Sequence, residues 1–300
     1  MLFRSGNAHG TAPGLALHVS PNPFRPDGRP SWLVMLPGPP RELRPMFTNQ
    51  VAPLLKEQLP LDADFVCRTL RTVGIGESYL EERIAGPLKP LTDAGLELGY
   101  CAHTGAVDVR FVARGCGADA DVAEAARIVY ALAGEHIFGE GDDELERVLV
   151  RRLTERKQTL ALAESCTGGF IANRVTNVPG ASAVLLAGLV TYSNAAKQAF
   201  LGVRAETLAA HGAVSEAVAR EMAEGCRART GADFALGVTG IAGPGGGTPE
   251  KPVGTVFIAL ASAAGTKVIN PVNRYDRETF KYLTSLQALE LLRRTLGSKG

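Results

Sequence analysis

From Thr159 onward, the chain alternates short apolar segments with amphipathic ones. The apolar segments predict strands at 160–163, 184–192, 234–238, 255–260 and 267–271. The amphipathic segments predict helices at 169–175, 194–201, 205–211, 215–230 and 277–296, the fourth capped by Ser215 and closed by Gly231. Strands that are apolar throughout are typical of a sheet covered on both faces. We therefore predict an α/β domain with helices on both faces of its sheet.

A different pattern, strand–helix–strand–strand–helix, covers residues 63–140 and predicts a small α+β domain. Its strands are predicted at 65–73, 96–100 and 106–113, and its helices from Ser78, with Tyr79, Leu80 and Ile84 as apolar residues, and over 118–132. The order resembles that of RNA-binding KH modules, which grip RNA with a basic G-x-x-G loop. The corresponding turn, Gly74-Ile-Gly76-Glu77, has neither that spacing nor that charge. We interpret this part as a packing or hinge module.

The chain before residue 63 contains too few predicted elements for a domain. Residues 1–30 show little periodicity, 31–36 predict a strand, and Pro39 and Pro40 suit the start of a helix. The apolar stripe of that helix consists of Leu43, Met46, Phe47, Val51, Leu54 and Leu55. One strand and one helix cannot bury their own apolar faces, so we predict that residues 1–62 are the end of a larger domain.

The acidic, glycine-bearing stretch 139–143 is a predicted linker between the KH-like part and a third region. A helix at 144–156 follows, with Leu145, Val148, Leu149 and Leu153 on one face. The predicted domains are therefore 1–62, 63–140 and 144–300.

Composition narrows the classes of function. Of the 300 residues, 45% are hydrophobic and 21% charged, as in ordinary globular proteins. The net charge of +1 gives no basis for a nucleic-acid or membrane surface, and no apolar run approaches the roughly 20 residues of a membrane span. The five cysteines form no C-x-x-C pair and have no histidine at zinc-site spacing. We expect a cytoplasmic protein with reduced thiols and no metal site.

The polar corner 164–169, between a predicted strand and a predicted helix, is the leading candidate for chemistry. Backbone N–H groups at such a junction can stabilise an anion or a developing oxyanion. Ser165 is a candidate nucleophile if a base lies near it, or else Ser165 or Thr167 only caps the helix. Cys166 is either a rival nucleophile or a small buried thiol.

Lys197 is the candidate base, because it lies in the next polar cluster and on the first turn of a predicted helix. The helix dipole and burial would both lower its pKa, and a neutral lysine can accept a proton from Ser165. The alternative is a solvated surface lysine. Tyr192 is either a core residue or a hydrogen-bonding partner of the site. Arg277 either meets a phosphate or pairs with Asp276 or Glu278.

The glycine-rich loop at 239–252 is a further candidate for ligand binding, because glycines let backbone N–H groups approach a ligand. It begins with Thr239 and Gly240. It is neither a P-loop nor a dinucleotide-binding fingerprint, since no Gly-Lys-Ser/Thr follows and it does not open the first strand–helix unit. The loop either faces a ligand or is a mobile, hairpin-like connection.

Four motifs together resemble the C-terminal domain of the CinA family. They are Leu162-Ala-Glu-Ser165-Cys-Thr-Gly-Gly169, Val190-Thr-Tyr-Ser-Asn194-Ala-Ala-Lys197, Gly212-Ala-Val-Ser215 and Gly237-Val-Thr-Gly-Ile-Ala-Gly-Pro244-Gly-Gly. The resemblance implies a three-layer α/β/α amidohydrolase domain that converts nicotinamide mononucleotide (NMN) to nicotinic acid mononucleotide and ammonia without a cofactor. The expected partners are this nucleotide and a second copy of the chain in a homodimer.

The resemblance also assigns roles to residues at matching positions. Ser165 would be the nucleophile, Lys197 its base and Tyr192 a further catalytic residue. Backbone N–H groups of Cys166, Thr167, Gly168 and Gly169 would stabilise the oxyanion. Thr239, Gly240 and Arg277 would bind the substrate, with Arg277 and the glycine loop holding its phosphate.

The front of the chain resembles other parts of the same family. Gly10-Thr-Ala-Pro-Gly14 and Leu36-Pro-Gly-Pro-Pro-Arg-Glu42 are similar to the last part of its molybdopterin-binding-like domain, and residues 65–138 to its KH-type domain. Family members begin well upstream with motifs that bind a nucleotide and a metal, so we expect the first part of this domain to be missing. Three rival functions remain: an ADP-ribose pyrophosphatase acting through the N-terminal segment, a competence-related binding protein without catalysis, and a chain that binds NMN but turns it over poorly.

Overall fold

The computed structural model describes residues 2–59 and 65–297. The chain forms two compact units, Met1–Asp64 and Phe65–Gly300, which are described separately below. None of the helices in the described ranges combines the length and the apolar character that a membrane crossing requires.

The first unit contains a three-stranded antiparallel sheet and a helical segment. The strands are β1 (Leu2–Ser5), β2 (Gly14–Val19) and β3 (Ser31–Met35), and the helices are α1 (Pro40–Met46) and α2 (Ala52–Gln58), joined by a π-helical turn (Phe47–Val51). The predicted strand at 31–36 and the helix start after Pro39 are confirmed. The pattern at 1–30 did not reveal β1 and β2, because the buried residues of β2 are Gly14 and Ala16, which are too small to give a hydrophobic signal.

The apolar stripe predicted for this helix is only partly correct. Met46 and Val51 are buried, whereas Leu43 and Phe47 are exposed. The reason is the π-helical turn, in which the N–H of Ala52 donates to the carbonyl of Phe47, five residues earlier. That turn changes the angular phase of the residues that follow it, so a single helical stripe does not describe the segment.

The second unit begins with the KH-like part, which extends to residue 140. Its elements are β4 (Phe65–Val73), α3 (Glu77–Asp93), β5 (Glu97–His103), β6 (Ala106–Arg114), α4 (Ala118–Ala133) and β7 (Ile137–Glu140). The sheet order is β5-β6-β4-β7, with every neighbouring pair antiparallel. Leu80 and Ile84 of α3 lie in its core, as predicted, but Tyr79 is exposed because it lies one position off the stripe that Leu80, Ile84 and Leu88 form.

The predicted linker at 139–143 is wrong in its first two residues, which belong to β7. Gly139 pairs with Arg71 of β4, and the carboxylate of Glu140 accepts hydrogen bonds from the guanidinium of Arg68 at 2.7 and 2.8 Å. An edge strand tolerates a glycine and an acidic residue that composition alone assigns to a loop.

The C-terminal part of this unit alternates strands and helices as the sequence predicts, and no boundary is shifted by more than two residues. Its elements are α5 (Leu145–Arg156), β8 (Leu160–Glu164), α6 (Phe170–Thr176), β9 (Leu185–Val190), α7 (Asn194–Leu201), α8 (Ala205–His211), α9 (Glu216–Thr230), β10 (Phe234–Gly240), β11 (Val256–Ser262), β12 (Gly265–Ile269) and α10 (Arg277–Leu296). Ser215 caps α9 through its hydroxyl, and Gly231 closes that helix in a left-handed conformation, both as predicted.

The sheet of this domain has the order β12-β11-β10-β8-β9. One face packs against α5, α6 and α10, and the other against α8 and α9, which confirms a three-layer α/β/α arrangement. Strand β8 is parallel to both β9 and β10, so the carboxyl ends of these three strands meet at one edge. The polar corner, the cluster at 191–197 and the glycine loop all begin at this edge.

The KH-like part and the α/β domain share buried residues. Val73 and Phe138 belong to the same apolar cluster as Leu286 and Leu289 of α10. Arg293, only 2% exposed, pairs with Glu290 and donates to the backbone carbonyls of Glu135 and Ile137. These contacts fix the KH-like part against α10.

Candidate active site

The corner that contains Ser165 is held between two strands. The N–H of Ser165 donates to the carbonyl of Val238 in β10 at 3.0 Å. The N–H of Thr191, just after β9, donates to the carbonyl of Glu164 at 2.8 Å. The register of the sheet therefore fixes where Ser165 lies.

Lys197 reaches Ser165 from the first turn of α7. Its Nζ lies 2.9 Å from the Oγ of Ser165, 2.8 Å from the carbonyl oxygen of Thr191 and 3.4 Å from that of Tyr192. A neutral amine has two N–H donors and one lone pair, so it can donate to both carbonyls and accept from the Ser165 hydroxyl. These three contacts therefore suit a lysine that acts as a base.

The surroundings of Lys197 favour its neutral form. The side chain is 1% exposed, and in the described ranges no carboxylate pairs with it. Burial lowers the pKa of the Lys197 amine, because it penalises the charged form. The alternative of a solvated surface lysine is wrong.

Cys166 does not compete with Ser165 as a nucleophile. Its side chain is buried, and burial raises the pKa of the thiol to about 12. The thiolate is the reactive form of cysteine, so this residue stays protonated and unreactive at neutral pH.

Glu164 has a role that the sequence did not reveal. Its carboxylate, 1% exposed, accepts hydrogen bonds from the backbone N–H groups of Gly169, Ile171 and Ala172 at 3.0, 3.1 and 2.8 Å. It thus satisfies the first donors of α6, which would otherwise be unpaired. The helix is therefore capped by Glu164 and not by Ser165 or Thr167, the two residues that the sequence suggests. The only signal was an acidic residue at the end of an apolar strand.

The set of predicted oxyanion donors becomes smaller in the structure. The N–H of Gly168 donates to the carbonyl of Ser165 at 3.1 Å, and that of Gly169 is bound to Glu164. Gly168 and Gly169 adopt φ values of +62° and +91°, which turn the chain at this point. Within the described part of the chain, no carbonyl or carboxylate oxygen accepts from the N–H groups of Cys166 and Thr167, so these two remain the candidate oxyanion donors.

Tyr192 and Arg277 meet at the mouth of the site. The guanidinium of Arg277 donates to the hydroxyl of Tyr192 and to the carbonyl of Gly243 in the glycine loop, both at 2.9 Å. Tyr192 is exposed and is not a core residue. Arg277 pairs with neither Asp276 nor Glu278; Asp276 caps α10 instead. The guanidinium therefore has no carboxylate partner among the described residues.

Thr239 and Gly240 are engaged in internal packing. The hydroxyl of Thr239 donates to the carbonyl of Ala213 at 2.8 Å, although the residue lies next to Val238 and hence beside the corner. A side chain at Gly240 would lie 2.8 Å from the carbonyl oxygen of Thr255, so strand pairing explains this glycine. The presence of a glycine at this position is therefore explained without the close approach of a ligand.

Two further polar groups flank the Ser165–Lys197 pair. The hydroxyls of Thr167 and Thr191 are buried and have no hydrogen-bond partner within the described ranges. No group of three or more His, Cys, Asp or Glu residues that could hold a metal ion occurs in residues 2–59 and 65–297.

Comparison with known proteins agrees with the organisation of the second unit. Residues 142–296 match the family model described as the CinA C-terminal domain, and residues 67–139 match the Damage-inducible protein CinA KH domain. The solved competence damage-inducible protein A from Klebsiella pneumoniae is 40% identical; the match covers 52% of this chain and 97% of that one, with a TM-score of 0.50. A competence or damage-inducible protein from Enterobacter asburiae is 33% identical. Its match covers 51% of this chain and 97% of that one, with a TM-score of 0.50.

Curated relatives match almost the whole chain. A CinA-like protein of Gemmatimonas aurantiaca is 41% identical over 96% of this chain and 66% of its own length. Another, from Akkermansia muciniphila, is 44% identical over 94% of this chain and 65% of its own. The chain thus spans about two thirds of the length of these relatives. On this similarity and the two domain matches, the chain belongs to the CinA family.

Proposed function

We propose that the C-terminal domain hydrolyses the carboxamide of NMN to nicotinic acid mononucleotide and ammonia, a step in pyridine nucleotide recycling. The observation that carries the proposal is the 2.9 Å contact between Ser165 Oγ and the buried Nζ of Lys197. A serine hydroxyl attacks an amide only when a base removes its proton, and a neutral, buried lysine is such a base. We also propose the homodimer and the cytoplasmic location that the resemblance implies.

The first half of the reaction forms an ester on Ser165. Lys197 takes the hydroxyl proton as Ser165 Oγ attacks the carboxamide carbon. The N–H groups of Cys166 and Thr167 stabilise the resulting oxyanion. The protonated Lys197 then gives its proton to the departing nitrogen, the C–N bond breaks, and ammonia leaves.

The second half restores the enzyme. Lys197, neutral again, takes a proton from a water molecule that attacks the ester carbon. The oxyanion collapses, the C–O bond to Ser165 breaks, and Lys197 returns a proton to the serine. The products are the carboxylic acid and ammonia, so all atoms are accounted for without an oxidant or reductant.

Arg277 and Tyr192 are proposed to bind the substrate. Their mutual hydrogen bond places an unpaired guanidinium at the mouth of the site. A guanidinium in this position suits an anionic nucleotide, because it forms strong, directional bonds with phosphate oxygens.

Ammonia release from NMN in the presence of a chelator tests the proposal. We expect Ser165→Ala to lose about 10³-fold or more of the wild-type rate, with an unchanged thermal unfolding midpoint. Ser78→Ala, a change of an exposed serine after the glycine turn of the KH-like part, is the matched control and should keep the wild-type rate. A Ser165→Ala protein that releases ammonia at the wild-type rate would refute the proposal. A metal-dependent ADP-ribose pyrophosphatase, by contrast, would be insensitive to this change.

A further inference from the structure

A pocket of about 460 Å³ lies between the KH-like part and the α/β domain, beside the catalytic corner. It is lined by Thr104, Phe170, Glu278, Thr279, Lys281 and Tyr282. Thr104 belongs to the turn between β5 and β6, and the other residues to α6 and α10. The turn is firmly seated, since a side chain at the next residue, Gly105, would lie 2.7 Å from Leu283 and 2.9 Å from Leu286 of α10.

Lys281 is the charged residue of this pocket that lies next to the catalytic corner. Its Nζ lies 4.0 Å from the position that a Cβ on Gly168 would occupy, and 5.7 Å from the centre of the Phe170 ring. In the described ranges it has neither a hydrogen bond nor an ion pair with a carboxylate, and Glu278, on the same helix, is not within ion-pair distance. The other end of α10 differs, because Arg293 and Arg294 both pair with Glu290.

Lys281 and Arg277 together frame the site. They are four residues apart on α10, so their side chains lie on the same face, one turn from each other. Arg277 contacts Tyr192, whose carbonyl lies 3.4 Å from the catalytic amine, and Lys281 lies next to Gly168. Two cations thus lie near the corner, and within the described ranges neither has a carboxylate partner.

The lining of the pocket suits the sugar–phosphate end of a nucleotide. A lysine ammonium is a compact charge that attracts phosphate, and a threonine hydroxyl such as that of Thr104 can donate to its oxygens. A carboxylate such as that of Glu278 can accept hydrogen bonds from ribose hydroxyls, as acidic residues do in dinucleotide sites. Phe170 and Tyr282 supply apolar walls.

We propose that Lys281 binds the phosphate of the substrate in this pocket, together with Arg277 one turn earlier on α10, and that Thr104 makes the KH-type domain part of the substrate site. The identity of the nucleotide rests on the proposed function, whereas recognition of a ribose phosphate by Lys281 does not. The KH-type domain then has a role in specificity without binding nucleic acid.

Binding of ribose 5-phosphate, which carries the phosphate but no amide, tests the inference independently of catalysis. Calorimetry on the full chain is expected to show binding by the wild type that weakens at least about tenfold in Lys281→Met, because a charge-assisted contact is lost. Lys267→Met, a change of an exposed lysine on β12, is the matched control and should bind like the wild type. Equal affinity of the wild type and Lys281→Met, or no binding to the wild type, would overturn the inference.

Kinetics with two substrates provide the second readout. For Lys281→Met, the ratio of kcat/KM for NMN to that for nicotinamide riboside, which lacks the phosphate, should fall at least about tenfold, mainly through a higher KM for NMN. Thr104→Ala should lower the same ratio by a smaller factor. An unchanged ratio in Lys281→Met would contradict the inference. A wild type that hydrolyses neither substrate would instead contradict the proposed function, and the ribose 5-phosphate titration would still decide the role of Lys281.

Discussion

Two turns in the second unit join a strand to a helix through glycine, yet they differ in what surrounds them. Gly74-Ile75-Gly76 leads from β4 into α3, and residues 165–169 lead from β8 into α6. Both bends use the left-handed region, with φ of +70° at Gly74 and +91° at Gly169. The backbone geometry that suggests an anion site is therefore present twice.

The first difference is how the new helix is capped. No side chain caps α3, and its first residues, Glu77, Ser78 and Tyr79, are exposed. At α6, the buried carboxylate of Glu164 accepts from three backbone N–H groups. One corner is open to solvent, whereas the other is fixed from inside the protein.

The second difference is which side chain a neighbouring element provides. Beside the first turn lie His136 and Arg294, which are held by Val73 and Glu290. Beside the second lie Lys281, near Gly168, and Lys197, which is buried and bonded only to neutral oxygens. A glycine turn thus supplies backbone geometry, and the chemistry depends on the buried lysine of α7, the helix that follows the neighbouring strand β9.

Removing the amine should have the largest effect. Lys197→Met is expected to lower kcat/KM for NMN by roughly 10³-fold, because the serine loses its base. Lys89→Met on α3 is the control, since Lys89 is exposed and pairs with Asp93 on the surface of that helix. Ammonia release measures both. If kcat/KM of Lys197→Met stays within a few-fold of the wild-type value, the buried amine is not what distinguishes the two corners.

The pH dependence of kcat/KM in the wild type also tests whether Lys197 acts as the base. The base form of Lys197 predominates above its folded-state pKa, which burial lowers from the ordinary value of 10.5. The rate kcat/KM should therefore rise with pH and level off, with its midpoint below 10.5. Between that folded-state pKa and 10.5 the unfolded chain binds a proton that the folded chain does not, so stability also rises with pH there. A pH–rate profile measured for Lys197→Met should lack this limb.

The caps should differ in their contribution to stability. Glu164→Ala is expected to lower the free energy of unfolding by about 3–5 kcal/mol, because it leaves buried N–H groups unpaired. Glu77→Ala at the other corner should change it by less than about 0.5 kcal/mol, as at an ordinary surface position. Urea unfolding compares the two, with Glu164→Gln expected between them. Equal midpoints for Glu164→Ala and Glu77→Ala would show that the buried cap contributes nothing.

Substitution of either glycine should destabilise the protein less than loss of the buried cap. Gly74→Ala and Gly169→Ala should each lower the free energy of unfolding by about 1–2 kcal/mol, because both place a side chain in the left-handed region. Only Gly169→Ala should also reduce ammonia release, since it shifts the N–H groups of the catalytic corner. Equal activity of the two variants would mean that the geometry of this corner is not needed for the reaction.

The sequence predicts the layered domain and the approximate place of the site. The apolar segments are distinct, and the two polar clusters with Ser165 and Lys197 follow strands that turn out to be parallel neighbours. The proximity of these two residues was expected from the family resemblance, and the sheet register explains it. Spacing alone left the choice between a base and a surface lysine open.

Other features depend on contacts that no local pattern contains. The role of Glu164 requires a chain reversal through Gly168 and Gly169 before its partners come within reach. Tyr192 and Arg277 meet although 85 residues separate them. Lys281 differs from Arg293 and Arg294 of the same helix by lacking a carboxylate partner in the described ranges, which is a property of the folded chain. Likewise, a strand whose buried residues are small, such as β2, leaves no hydrophobic signal.

The mass of acid-quenched enzyme during turnover of NMN tests the central claim most directly. If Ser165 attacks the carboxamide, wild-type protein should carry one acyl group of nicotinic acid mononucleotide on the peptide that contains Ser165, and Ser165→Ala should carry none. Wild-type protein that releases ammonia without ever gaining this mass, together with equal release by Ser165→Ala, would contradict a serine nucleophile at this corner.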